Sequence, residues 1–333
     1  MTNIKKIGLS ALAGALAMTS AHAGSISVSG NMEISHTVQG GNVNTSGGPL
    51  GQNNELTFTG SGELDNGITV AYKNTSTDTA LGNDSELVFG NILGGTLAFQ
   101  STGSPLDGID NKTPTAFKDA ESIVGSIADV SGPSGDFGIR YTLADVAGTG
   151  IKLDYNYTPQ HGSGDATGDE ATSGAAGNGN LDAHDITLTG AVPGVEGLNV
   201  GAGYSVRNYD QKTVGSDTRE DATAYATYAY GPVTIGYQVG AQGDSGLAVQ
   251  PYKNTYIGIS YAVSDDFSIS YNDTESQKMS GNSIGITQDW DAISASYSMG
   301  GMTLNVADIN CGNCDYTAGK NESARTISMT IAF

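Results

Sequence analysis

The chain is poor in basic residues, in cysteine and in long apolar runs. Its 333 residues include 14 lysines and arginines against 35 aspartates and glutamates, a formal net charge of −21. Because positive charge holds phosphate backbones, this excess of acid excludes a nucleic-acid partner. The longest apolar run covers about 12 residues, whereas a membrane-spanning helix needs about 20. A helical membrane protein is therefore excluded as well.

The N-terminus has the features of an export signal. Lys5 and Lys6 precede the apolar run 7–18, and the small residues Ala21 and Ala23 suit signal-peptidase cleavage. We predict a signal peptide over 1–23 and a single mature domain over 24–333. Export would bring the two cysteines into an oxidising compartment.

From residue 25 onward, apolar and polar residues alternate with a period of two, which predicts β-strands. In the first segment, Ile26 and Val28 share one face while Ser27 and Ser29 share the other. The predicted strands are 25–38, 54–64, 67–76, 84–92, 95–100, 137–144, 150–158, 183–192, 198–207, 221–230, 233–239, 253–263, 267–272, 283–299, 302–308 and 322–333. The segment 283–299 loses its phase near Trp290, where we predict a bulge.

The connections between these strands alternate in length along the whole chain. Those after even-numbered strands are mostly tight turns, whereas those after odd-numbered strands are longer and polar: 39–53, 77–83, 101–136, 159–182, 208–220, 240–252, 273–282 and 309–321. An antiparallel meander has this rhythm when its two ends face different compartments. The apolar positions are too sparse for the core of a soluble sandwich. The pattern predicts an all-β fold, a transmembrane antiparallel 16-stranded β-barrel with apolar side chains facing lipid and polar ones facing a water-filled lumen.

Motifs of catalysis and metal binding are weak. Gly281-Asn282-Ser283-Ile284-Gly285 matches a hydrolase nucleophile pattern, but no helix pattern follows it and the last histidine is His184. We therefore do not predict an enzyme. Cys311 and Cys314 have CxxC spacing without a second pair, which favours a small disulfide across a turn over a zinc site or a redox motif.

The C-terminal strand places Ile327, Met329, Ile331 and Phe333 on one face and stops on an aromatic residue. Together with the signal peptide, the alternation and the loop rhythm, it makes the chain resemble the Gram-negative outer-membrane general porins. It is most similar to the alphaproteobacterial (Rhodobacter-type) sixteen-stranded family. The resemblance implies that Met329, Ile331 and Phe333 form the signal for the outer-membrane barrel assembly machinery. It also implies a homotrimer in contact with the lipid bilayer and lipopolysaccharide, and no cofactor.

The resemblance further implies that the third long loop, about 101–136, folds inward and narrows the pore. Its stretch Thr115–Ile127 could form a short helix. The charged residues expected at this constriction are Asp107, Asp110, Asp119, Glu121, Asp129, Lys112 and Lys118, with Asp136 at the end of the loop. Carboxylates also attract divalent cations, so calcium at Asp107 and Asp110 is a further expectation.

Strand parity predicts the charged side chains of the pore wall. They are Glu33, Glu55, Glu63, Lys73, Arg140, Lys152 and Asp154, with Arg207 and Arg325 as further candidates. Family members oppose the acidic loop with a dense arginine cluster, whereas the basic wall here is sparse. We therefore expect a cation-preferring channel for passive diffusion of small hydrophilic solutes across the outer membrane. The alternatives are a substrate-selective channel and, less favoured, a surface structural or adhesive barrel protein.

Overall fold

The structure is a computed structural model that describes residues 26–43, 48–77, 80–133, 137–161, 180–210, 218–244, 251–280 and 283–333. The predicted signal peptide, Asp136 and the first two residues of the hydrolase-like motif lie outside these residues. No helix in the described ranges is long and apolar enough to cross a membrane.

Sixteen strands account for most of the described chain. They are β1 (Ile26–Gly41), β2 (Leu50–Glu63), β3 (Thr69–Thr77), β4 (Ala80–Ile92), β5 (Gly95–Gln100), β6 (Gly138–Leu143), β7 (Ile151–Thr158), β8 (Asn180–Ala191), β9 (Leu198–Tyr209), β10 (Thr218–Tyr230), β11 (Val233–Asp244), β12 (Tyr252–Ala262), β13 (Phe267–Ser280), β14 (Ser283–Met299), β15 (Met302–Gly312) and β16 (Glu322–Ala332). Each strand pairs antiparallel with its neighbours in sequence, and β1 pairs with β16, so the sheet is a closed barrel. The predicted sixteen-stranded antiparallel barrel is confirmed.

The two faces of the barrel wall have opposite chemistry. On β13, Ser270, Asn272 and Thr274 are buried, whereas the intervening Tyr271 is exposed. On β12, Asn254 is buried and Ile257 is 49% exposed. Buried polar and exposed apolar side chains reverse the order of a soluble protein, and the apolar face is the one that lipid would cover.

The predicted bulge at Trp290 is wrong. Trp290 pairs regularly with Thr274, and the register of β13 against β14 shifts instead between Gln277 and Met279. The pattern loses its phase because Trp290 is a large apolar residue on the polar face, where it is 1% exposed. It packs there against the β5–β6 connection rather than against lipid.

The predicted helix within 115–127 is also absent. Inside the described part of the β5–β6 connection, the one helical turn is the 3-10 turn Asp107–Ile109. The backbone N–H groups of Ala116 and Phe117 donate to the hydroxyls of Ser270 and Ser294 on the barrel wall. The stretch therefore follows the barrel wall in an irregular path.

The C-terminal residues close the barrel. Gly30 and Phe333 exchange two backbone hydrogen bonds of 2.9 Å, which extend the β1–β16 pairing to the last residue. Ile331 and Phe333 are exposed on the same apolar face as Ile327, as the alternation predicts. Recognition of these residues by an assembly machinery stays a prediction.

Candidate functional site

The β5–β6 connection, described over 101–133 and called here the β5–β6 loop, leaves its own strands and lies along the polar face of distant ones. Its outgoing limb donates backbone N–H groups to strand side chains over 2.7–3.1 Å: Lys112 to Gln238 on β11, Ala116 to Ser270 on β13 and Phe117 to Ser294 on β14. The side-chain amide of Gln238 in turn donates to the carbonyl of Ile109 at 2.8 Å. The loop is thus bonded to strands far from β5 and β6 in the barrel order.

The returning limb is held by the same kind of contact. The described bonds run from Gln288 on β14 to the carbonyl of Ser126 (3.0 Å), from Asn254 on β12 to that of Ala128 (2.8 Å), from Gln242 on β11 to that of Asp129 (2.8 Å) and from Arg207 on β9 to that of Ser131. The side chains that bind the loop are polar because loop backbone buried against the wall needs partners. This is why the buried face of β11–β14 is rich in Gln, Asn and Ser.

The tip of the loop packs in an apolar cluster against β14, β15 and β16. The buried members are Ala120, Val124, Trp290, Ala292, Ala307, Ile309, Cys311, Cys314 and Ala324. The Trp290 indole also donates to the carbonyl of Val124 at 2.7 Å. Close to it, the N–H of Gly125 donates to the Glu322 carboxylate at 3.1 Å. The tip is therefore fixed by packing and by hydrogen bonds together.

The β15–β16 connection packs against the tip of the β5–β6 loop. Cys311 and Cys314 form a disulfide, with Cα atoms 5.8 Å apart, and belong to the apolar cluster. Two residues further on, the Tyr316 hydroxyl accepts the N–H of Ala128 at 3.0 Å and lies 2.6 Å from the Ser276 hydroxyl. The disulfide turn thus contacts the β5–β6 loop as well as its own strands.

Two loop carboxylates, those of Glu121 and Asp110, are more buried than the sequence suggested. Glu121 accepts hydrogen bonds from Asn111 and Thr274, and burial raises its pKa to about 7. Burial, with the neighbouring carboxylates of Asp129 and Asp107, raises the pKa of Asp110 to about 7. The Asp129 carboxylate of the returning limb thus lies close to Asp110 of the outgoing limb.

The remaining predicted loop residues are partly or fully accessible. Burial raises the pKa of Asp107 and of Asp119, which are both half-buried. Lys112 is exposed, and the Lys118 ammonium lies 5.1 Å from the centre of the Phe117 ring. In the described residues, no group of three or more His, Cys, Asp or Glu side chains is arranged to hold a metal ion. Calcium at Asp107 and Asp110 stays a prediction.

The predicted wall residues share the polar face of their strands. Glu33, Glu55, Glu63 and Lys73 alternate on β1–β3 with exposed apolar residues such as Ile34, Phe58 and Tyr72. On β6 and β7, Arg140 donates to the carbonyl of Gly103, and Lys152 forms a 2.6 Å ion pair with Asp154. Arg207 joins Asp221 on β10.

One wall assignment is wrong, and several charged residues of the polar face were missed, among them Glu86, Asp185 and Asp221. Arg325 lies on the outer face with the exposed Ile327 and pairs with Asp308 of β15. Residues two apart on a strand face the same side, so the apolar, outward-facing Ile327 indicates that Arg325 also faces outward rather than into the lumen. Glu86 lies on the polar face of β4, opposite Lys73 on β3 and the buried Gln100 on β5. The sequence contains a signal for this position, because the apolar Leu87 and Phe89 occupy the alternate, outward-facing positions of β4.

Comparisons with known proteins agree with this architecture. A model of the Gram-negative porin family matches residues 8–310. No curated protein matches the chain. Solved structures with similar folds include a loop-deletion mutant of OmpT, an outer membrane protein of Vibrio cholerae, with a TM-score of 0.68 at 10% identity over 93% of this chain and 99% of that one.

Two further structures have the same fold. A substituted form of the Rh. blastica porin has a TM-score of 0.59 at 15% identity, over 93% of this chain and 100% of that one. OmpF of Salmonella typhi in complex with daunomycin has a TM-score of 0.61 at 12% identity, over 93% of this chain and 98% of that one. At these identities the likeness concerns the fold, whereas the family match spans most of the sequence. The chain belongs to the Gram-negative porin family.

Proposed function

We propose that the protein is a water-filled channel of the outer membrane through which small hydrophilic solutes diffuse, with a preference for cations. The observation that carries the proposal is the course of the β5–β6 loop. It is bonded to the polar face of β9, β11, β12, β13 and β14, which the closed barrel turns away from lipid. A segment fixed there would narrow the lumen and so limit the size of a passing solute.

Charge on the wall opposite the loop supports the cation preference. The polar face of β1–β4 carries four glutamates, Glu33, Glu55, Glu63 and Glu86. In the described part of these four strands, Lys73 is the one lysine or arginine on that face. Charges within about 8 Å of a passing ion act on it with little screening at physiological salt. Carboxylates on the loop and on the wall would therefore raise the local concentration of cations.

Reversal potentials in a KCl gradient across a planar bilayer test this preference. The variant Glu33→Gln/Glu55→Gln/Glu63→Gln and the variant Asp107→Asn/Asp110→Asn/Asp119→Asn/Glu121→Gln should each move the potential toward zero. A control variant, Asp273→Asn/Glu275→Gln/Asp291→Asn, removes three acidic residues from outward-facing positions of β13 and β14 and should have little effect. A native pore that prefers chloride, or equal shifts in the control, would refute the preference.

We also propose a homotrimer that contacts lipid and lipopolysaccharide and is assembled through its C-terminal strand. The relevant likeness is to a Vibrio cholerae OmpT structure described as a trimer form, with a TM-score of 0.65. The exposed apolar face offers the surface for lipid and for a second copy. Native mass spectrometry in detergent should give three copies per particle. Only monomers across several mild detergents would contradict the trimer.

A further inference from the structure

A cavity of about 380 Å³ lies between the outgoing limb of the β5–β6 loop and the wall formed by β6, β7, β8 and β10. Its volume is within the range of about 300–1,000 Å³ that small-molecule sites occupy. The lining combines charged groups, among them Lys112, Arg140 and Lys152, with the hydroxyl-bearing Thr189 and Tyr225. It is therefore a polar recess beside the narrowed part of the lumen.

The cavity gathers positive charge in a strongly acidic chain. Three of the 14 lysines and arginines line it, against the carboxylates of Asp107 and Asp154. Asp154 is already occupied, because one of its oxygens holds the Lys152 ammonium at 2.6 Å and the other accepts the Thr142 hydroxyl at 2.5 Å. The recess thus has a local excess of positive charge.

Hydrogen-bond donors also remain available there. One terminal nitrogen of Arg140 donates to the loop carbonyl of Gly103, which holds the guanidinium at the cavity wall. The exposed Lys112 and the hydroxyls of Thr189 and Tyr225 supply further donors on the lining. Pro105 and Ile109 form the apolar part of the lining.

We propose that this cavity is a binding subsite for a small hydroxylated carboxylate on the diffusion path. The carboxylate lies between Arg140 and Lys112, since a guanidinium is suited to carboxylate geometry and the ammonium adds charge. Tyr225 and Thr189 bind the hydroxyls of the solute. The inference deepens the proposed channel and rests on it: a local cationic site lets such an anion through a pore whose net charge repels anions.

Titration of K⁺ current with sodium gluconate in a planar bilayer tests the subsite at constant KCl. Gluconate should reduce the single-channel current saturably, and sorbitol, its uncharged counterpart, should not do so at equal concentration. Lys112→Gln should raise the half-blocking concentration of gluconate at least about tenfold, as expected for losing a charged partner worth about 1.5–3 kcal/mol. This variant keeps the backbone bond from Lys112 to Gln238, so the loop anchor stays in place.

Arg140→Gln should have a similar effect, and Lys73→Gln is the matched control. Lys73 belongs to the lumen-facing wall of β3 and does not line the cavity, so its loss removes the same charge elsewhere in the lumen. An unchanged half-blocking concentration in Lys112→Gln, an equal rise in Lys73→Gln, or equal block by sorbitol would overturn the subsite. Conductance without gluconate block refutes the subsite alone, whereas absence of any conductance refutes the channel and the subsite with it.

Discussion

Adding a methyl group to Gly125 should displace the tip of the β5–β6 loop from the barrel wall. The residue has a φ of +69°, a left-handed conformation that costs a non-glycine residue about 1–2 kcal/mol. A Cβ at this place would lie 2.9 Å from the Cys311 Sγ and 3.2 Å from the Trp290 Nε1. Both neighbours are buried in the apolar cluster, so neither can move aside easily.

The conformational term alone lowers the population of the docked tip relative to the displaced tip about 5–30-fold. Because the wall is a continuous hydrogen-bonded sheet, the tip can move only toward the lumen. Gly125→Ala should therefore lower single-channel conductance in a planar bilayer. The chain has one tryptophan, so the emission of Trp290 reports the same displacement directly and should shift to the red as the indole meets water.

Gly108→Ala is the control within the same loop. Gly108 has no positive φ, and a Cβ there would meet nothing within 4 Å. It should keep the conductance and the emission of the native protein. Native conductance and native emission in Gly125→Ala would refute the docking of the tip against Cys311 and Trp290.

Three further predictions concern pH, the disulfide and barrel closure. With the pKa of Asp110 and Glu121 raised from 3.8 and 4.5 to about 7, the folded loop binds more protons than the unfolded chain. Its stability is therefore greatest below about pH 4 and falls as pH rises through 7. Trp290 emission recorded from about pH 4 to 8 should shift to the red as the loop loosens, and Asp110→Asn/Glu121→Gln should flatten the profile. The unreduced protein should be two hydrogen atoms lighter by mass spectrometry than the reduced one. Reduction should shift Trp290 emission while hardly changing barrel melting, because so small a ring constrains the unfolded chain weakly; free thiols before reduction would contradict the bond. Gly30→Ala, whose Cβ would lie 2.6 Å from the Glu55 carbonyl oxygen, should slow folding into detergent measured by heat-modifiable gel mobility, whereas Gly60→Ala, with 3.9 Å to its nearest contact, should not.

The barrel could be predicted from sequence because its signal is local. Each strand shows its two faces within a few residues, as Ile26 and Ser27 do, and each tight turn marks the next strand. The course of the β5–β6 loop could not be predicted in this way. Its partners, such as Gln238 for Lys112 and Ser294 for Phe117, are more than a hundred residues away, and a Gln or Ser on a polar face has no feature that identifies it as an anchor.

The errors in the site have the same cause. Trp290 disturbed the strand pattern because its buried surroundings are supplied by Val124 and Gly125, which a local reading does not bring near it. The charge state of Asp110 and Glu121 was likewise beyond the sequence. It depends on burial between two limbs whose pairing only the folded loop creates.

The seam between β1 and β16 has a consequence for how the bore of the barrel is set. Fifteen of the sixteen strand pairings join neighbours in sequence and can form as hairpins, but the seam joins the first described strand to the last. Ring closure over so long a chain carries the largest entropy cost, and until β16 arrives β1 presents an unpaired edge. The stagger accepted at that joint, with Asn31 opposite Ala332 and Gly30 bonded to Phe333, completes the shear of the whole sheet. For a fixed number of strands the shear determines strand tilt and diameter. A slip of two residues at the seam would keep every side chain on its proper face and still change the width of the lumen. The register between β1 and β16 therefore determines the diameter of the channel.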